Sequence, residues 1–162
     1  MLNQKLFNSC EEPWLLHTSD QLSEEIMRKV FSLDATKMNT LNELYDEVSS
    51  KLHFPGYFGR NFNALSEMLS DLEWLPRESY IILIHNAEFL LSNEPSDVFE
   101  DFLAILSEVA EEWSVPIDQG EAWDRSSIPF HVVFQVSPQA QVLFSNKVVD
   151  AGIAISSWSP AA

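Results

Sequence analysis

Five consecutive apolar residues, Tyr80-Ile-Ile-Leu-Ile84, stand in the middle of the chain without a polar interruption. A run of strand length that does not alternate belongs to a strand covered on both faces, the situation of parallel sheets. Parallel strands need long crossover connections, usually helical. The flanking sequence has room for them. Lys29-Val-Phe-Ser-Leu-Asp34 alternates and is rich in β-formers, and Phe130-His-Val-Val-Phe-Gln-Val136 makes a further strand. Between these three segments, apolar residues recur with helical period. The expectation is an α/β fold, a three-stranded parallel sheet with strands near 29–34, 80–85 and 130–136. Helices near 41–52, 62–72 and 97–114 would pack it through right-handed crossovers.

Helix boundaries are marked chemically. Thr40-Leu-Asn-Glu43 fits a capping box, and Leu41, Leu44, Tyr45, Val48 and Leu52 follow it at helical spacing. Pro55 and Gly56 stop that helix. Asn86 is placed to cap a short helix over Ala87 to Leu91. Ser96 is placed to cap a long one with the stripe Phe99, Phe102, Leu103, Leu106, Val109, Ala110 and Trp113.

The segment from Phe54 to Leu69 holds two of the four glycines. Pro55-Gly56 has the residues of a tight turn, Gly59 allows a second unusual bend, and Asn61 can cap the next helix. On that helix Phe62, Leu65, Met68, Leu69 and Leu72 form the inward stripe. Asn63, Glu67, Ser70 and Asp71 lie opposite. The loop is expected to present Tyr57 and Phe58 beside an acidic helix face.

The formal net charge is −16 over 162 residues, enough chain for one domain with one core. Twelve Asp and Glu, and no Lys or Arg, lie between Arg77 and Arg125. Such a surface repels phosphate backbones, which argues against direct nucleic-acid binding, and attracts a basic partner over long range. The lone Cys10 cannot form an internal disulfide, and no apolar leader is apparent at the N-terminus, so a cytoplasmic protein is expected. No apolar run is long enough to span a membrane.

Catalysis has little support. His17, His53, His85 and His131 are scattered and form no metal-ligand spacing with Cys10, so neither metal nor cofactor is implied. His85 and His131 are expected to be packed, hydrogen-bonded histidines. An acid–base pair of Glu67 with Glu88 or Glu108 is chemically conceivable, but nothing in the sequence brings those groups to one pocket. The acids Glu67, Asp71 and Glu73 stand toward the helix C-terminus, where the dipole favours cations. Those charges are not arranged for the helix's own stability.

Tyr57-Phe58-Gly59-Arg60-Asn61-Phe62-Asn63-Ala64-Leu65, followed by Glu67, resembles the signature of the barstar family, intracellular inhibitors of barnase-type ribonucleases. The resemblance runs from about Lys29 to about Val136. It implies a protein without catalytic activity whose loop and acidic helix plug a basic ribonuclease or toxin active site, and which is a monomer when free. By resemblance Glu67 occupies the phosphate position, Tyr57 and Asn63 flank it, Phe58 belongs to the partner-binding loop, and the backbone of Gly59 approaches the enzyme. Asp71 continues the acidic face, and Glu108 on the long helix adds a contact. Asn63 and Glu67 stand where the family's type protein has aspartates, and Ser66 where it has a tryptophan. Two other classes fit the same residues: an immunity or adaptor protein with a non-ribonuclease partner, and an acidic nucleic-acid mimic.

The expected organisation is an N-terminal extension over 1–28, the barstar-like domain over 29–136, and a C-terminal extension over 137–162 packed on it. Trp14-Leu-Leu16 suggests a short edge strand or a lid, and Asp20 to Met27 a helical turn or two. Val142-Leu-Phe144 and Ile153 to Ile155 suggest an added strand or hairpin. The loop around Trp123 and Asp124 has no sequence interpretation.

Overall fold

The computed structural model describes residues 5–160. Its elements, in chain order, are β1 (Leu15–Thr18), α1 (Glu24–Met27), β2 (Val30–Asp34), α2 (Leu41–Lys51), α3 (Phe62–Asp71), β3 (Tyr80–His85), α4 (Ser96–Ser114), β4 (Phe130–Gln135), α5 (Gln141–Ala151) and β5 (Ser156–Ser157). The three expected strands are β2, β3 and β4. The sheet is wider than those three: its order is β2-β3-β4-β1-β5, parallel throughout. Leu15 and Leu16, in a segment too short to identify by period, pair with Val132 and Val133.

Right-handed crossovers explain which face each helix takes. From β2 to β3, β4 and β5 the chain always moves the same way across the sheet, and α2 to α5 pack on one side. The step from β1 back to β2 runs the opposite way and places α1 on the other. Ile82, Ile84, Val132 and Phe134 therefore face Leu44, Leu65, Phe102 and Phe144 in the main core. Ile81, Leu83 and Val133 face a second core, closed by Phe7, Leu22, Ile26 and Trp158. The uninterrupted apolar run in β3 is accounted for: Tyr80 to Ile84 are all buried, alternately in one core and the other.

His131 lies in β4 on the second face. It is fully buried against the edge of Phe7, with ring centroids 5.4 Å apart. Neither of its ring nitrogens has a hydrogen-bond partner, so the expected hydrogen-bonded histidine is a packed one only. Burial lowers its pKa from 6.5 to about 4.

Local differences have local causes. The box at Thr40 and Glu43 forms as its sequence dictates. Asn86 does not cap through its side chain; it takes φ 55° and donates instead to Asp34 Oδ1 at 3.2 Å. Helix α4 is preceded by Pro95 with φ −59°, and Ser96 is its first residue, not its cap. Val142-Leu-Phe144 lies in α5, not in a strand: Phe144 and Val148 are one turn apart and buried, while Val142 and Leu143 stay exposed. Gly152, at φ 72°, ends that helix, and the strand comes later, at Ser156–Ser157.

Candidate binding site

The loop between α2 and α3 is fixed at both ends. Helix α2 closes with Phe54 N–H donating to Ser49 O (2.9 Å) and His53 N–H to Ser50 O (3.4 Å), with His53 at φ 53°. This is the Schellman arrangement, with histidine where glycine is usual. Phe58 N–H then donates to Pro55 O at 3.1 Å, so Pro55 opens the turn and Gly56 and Tyr57 are its central residues. The second bend belongs to Arg60 rather than Gly59: Arg60 takes φ 51°, and Gly59 does not adopt the left-handed region.

Side chains hold that bend. The Arg60 guanidinium donates to Asp46 Oδ1 (2.9 Å), to Asn42 O (3.0 Å) and to Asn42 Oδ1, and it lies 5.6 Å from the Tyr45 ring centre. Asn61 caps α3 by accepting from Ala64 N–H at 2.8 Å and donates to Gly59 O at 3.2 Å. Beneath the loop, Phe58 packs edge-on against Tyr45 and Phe54, and Phe54 against Trp74. The expectation of two presented aromatics is therefore half corrected. Phe58 is turned inward as an anchor, while Tyr57 is 69% exposed.

Helix α3 divides as its pattern dictates, with Leu65, Met68 and Leu69 buried and Asn63, Glu67 and Asp71 exposed. Its last turn is locked from α4, where the buried Trp113 Nε1–H donates to Leu69 O at 2.8 Å. Glu67, Asp71 and Glu73 accept no hydrogen bond and enter no ion pair among the described residues. The helix dipole opposes the charge of Asp71, the last residue of α3, by about 0.3–1 kcal/mol, while Glu67 stands mid-helix and Glu73 beyond the helix end. Glu67 and Asp71 line one cleft of about 530 Å³, together with Ser70, Arg77, Trp123 and Arg125. Tyr57 and Asn63 are exposed on the loop and first turn, and Glu108 is exposed on α4, outside that cleft.

The far wall of the cleft was not legible as such. Asp124 accepts from the N–H groups of Gln119 (3.0 Å) and Gly120 (2.8 Å), which holds its pKa below the usual carboxylate range. Ile117 and Arg125 exchange backbone hydrogen bonds, and the Arg125 guanidinium stacks 4.0 Å from the Trp113 ring centre. Trp123, at its tip, is 63% exposed.

A family model described as Barstar (barnase inhibitor) matches residues 28–135. The chain belongs to the barstar family. The matched region begins just before β2 and ends with β4, so it contains the loop, α3 and α4. The chain is also similar to a Bacillus subtilis (strain 168) protein named "Putative ribonuclease inhibitor YrdF". The two are 30% identical over 95 residues, which is 57% of this chain and 100% of that protein. Among solved structures, "Structure of Drosophila ORC bound to DNA" aligns at 13% identity with a TM-score of 0.46, covering 98% of this chain and 82% of that one. "Structure of Drosophila ORC bound to AT-rich DNA and Cdc6" aligns at 13% and 0.44, covering 98% and 53%. At those scores neither bears on function. Among the described residues no group of His, Cys, Asp and Glu could hold a metal ion, and no helix is long and apolar enough to cross a membrane.

Proposed function

We propose that this barstar-family chain inhibits a barnase-type ribonuclease or ribonuclease toxin domain by seating α3 and the 54–61 loop in its basic active site. One observation carries the proposal. Glu67 and Asp71 are exposed, unpaired carboxylates one turn apart on a helix locked to α4, with Asp71 at its dipole-disfavoured last residue. A ribonuclease site binds the scissile phosphate with cationic side chains. A carboxylate occupies the same place through charge-assisted hydrogen bonds. Glu67 takes that position, with Asn63 one turn before it and Tyr57 at the loop apex.

Rigidity makes this efficient. Phe58 and Arg60 pin the loop to α2, so little conformational freedom remains to be lost on docking. Gly59 is exposed and lacks a side chain, which lets enzyme groups approach the backbone. Glu108 meets the enzyme from α4. The net charge of −16 steers a cationic enzyme onto this face. The test is RNA cleavage by a purified barnase-type ribonuclease with increasing inhibitor. Stoichiometric loss of cleavage, abolished by E67K, is expected. Unchanged cleavage with an excess of folded wild-type chain would refute the proposal.

A further inference from the structure

We propose that the cleft between α3 and the 116–128 loop is a second anchoring point, which receives an arginine side chain of the basic partner against Trp123. This inference rests on the inhibitor reading above and names a contact outside the loop and helix that define it.

The wall is built for exposure. Asp124 gathers backbone donors of the loop, the Ile117–Arg125 bridge ties its base, and Arg125 stacks on Trp113. These contacts fix the loop and leave Trp123 standing 63% exposed in the same cleft as the carboxylates of α3. An exposed indole on a fixed loop is a large apolar and π surface presented to solvent.

Charge in the cleft selects the occupant. Its two cations are already engaged: Arg125 over Trp113, and Arg77 over Phe31 at 5.3 Å. Asp124 is taken up by its own loop. Glu67, Asp71 and Glu73 are the carboxylates left unpaired in the cleft with Trp123. A guanidinium answers both walls at once, because its plane stacks on an indole while its edge donates to carboxylates. An ammonium has the charge without the plane. The cleft is therefore expected to prefer arginine to lysine.

The test uses the full chain labelled with ¹⁵N, and hexa-arginine and hexa-lysine peptides as probes. The Trp123 indole N–H signal is assigned by its loss in W123A. It should shift saturably with hexa-arginine, and less with hexa-lysine. W123A should weaken hexa-arginine binding about three- to tenfold, and E67Q and D71N should weaken it comparably. The control E11Q should bind as wild type. A stationary Trp123 signal, equal response to both peptides, or undiminished binding by W123A would overturn the proposal. The ribonuclease assay run in parallel separates the two readings. Peptide binding at Trp123 without ribonuclease inhibition overturns the inhibitor reading and keeps the subsite. Full inhibition by W123A, together with a stationary Trp123 signal in the wild-type chain, overturns the subsite and keeps the inhibitor.

Discussion

Leu65 and Glu67 are two positions apart on α3 and do opposite jobs. Leu65 is fully buried in the main core, and Glu67 is exposed and unpaired. Leu65→Ala should cost about 2–5 kcal/mol of stability, because removing buried methyl groups loses transfer energy and leaves a cavity. Glu67→Ala should change stability by no more than about 0.5 kcal/mol. Urea denaturation of both variants is the check, and equal losses would mean that the faces of α3 are misassigned. This division was legible from period alone, as was the cap at Asn61. The role of Phe58 was not, because an aromatic beside Gly59 has the same sequence whether it points out or folds back on Tyr45. Arg60 was equally hidden. Its left-handed backbone is stabilised by Asp46 and Asn42, residues contributed by another helix.

At the scale of elements, the presenting loop depends on α2 as much as on α3. Arg60→Ala removes the hydrogen bonds to Asp46 and Asn42 while leaving the Asn61 cap in place. That ion pair is exposed, so its loss should cost no more than about 1 kcal/mol of stability. The loop should nevertheless gain mobility, seen as faster exchange of the Phe58 amide, whose N–H donates to Pro55 O, and as weaker ribonuclease inhibition. Retained protection at that amide would show that the packing of Phe58 alone holds the loop. Strands β3 and β4 were readable from their four or more apolar residues, and β2 from its alternation and β-formers. Strand β1 has four residues and β5 two, lengths at which period carries no information, so their places in the sheet emerge only from pairing.

For the whole molecule, the second face of the sheet ties stability to pH. His131 is buried with both ring nitrogens unpartnered, and its pKa falls from 6.5 to about 4. The unfolded chain therefore binds a proton between those values that the folded chain excludes, and stability falls as pH drops from 6.5 to about 4. The size of the effect is about 3 kcal/mol at most. His17, lowered by burial, acts in the same direction. Urea midpoints measured across that range should decline, and His131→Leu should flatten the decline because no hydrogen bond is lost. An undiminished slope in that variant would place the titration elsewhere. The closure of this face by Phe7, Leu22, Ile26 and Trp158 was not foreseen, since it joins segments from opposite ends of the chain.

Charge is also a property of the whole molecule, and it separates a plug from a diffuse acidic mimic. At −16, association with a basic ribonuclease should slow as salt rises and the Debye length falls to about 10 Å at 0.1 M. Dissociation should depend on Glu67 and not on the remote Glu11, because a docked Glu67 is desolvated against cations and Glu11 is not. Removing one member of a desolvated pair costs about 2–5 kcal/mol, mostly through faster release. The decisive measurement is therefore stopped-flow association and dissociation of a barnase-type ribonuclease with wild type, E67K and E11K at low and high salt. Plugging by α3 predicts that E67K abolishes stable binding while E11K only modestly slows association. Equivalent effects of the two reversals would contradict it.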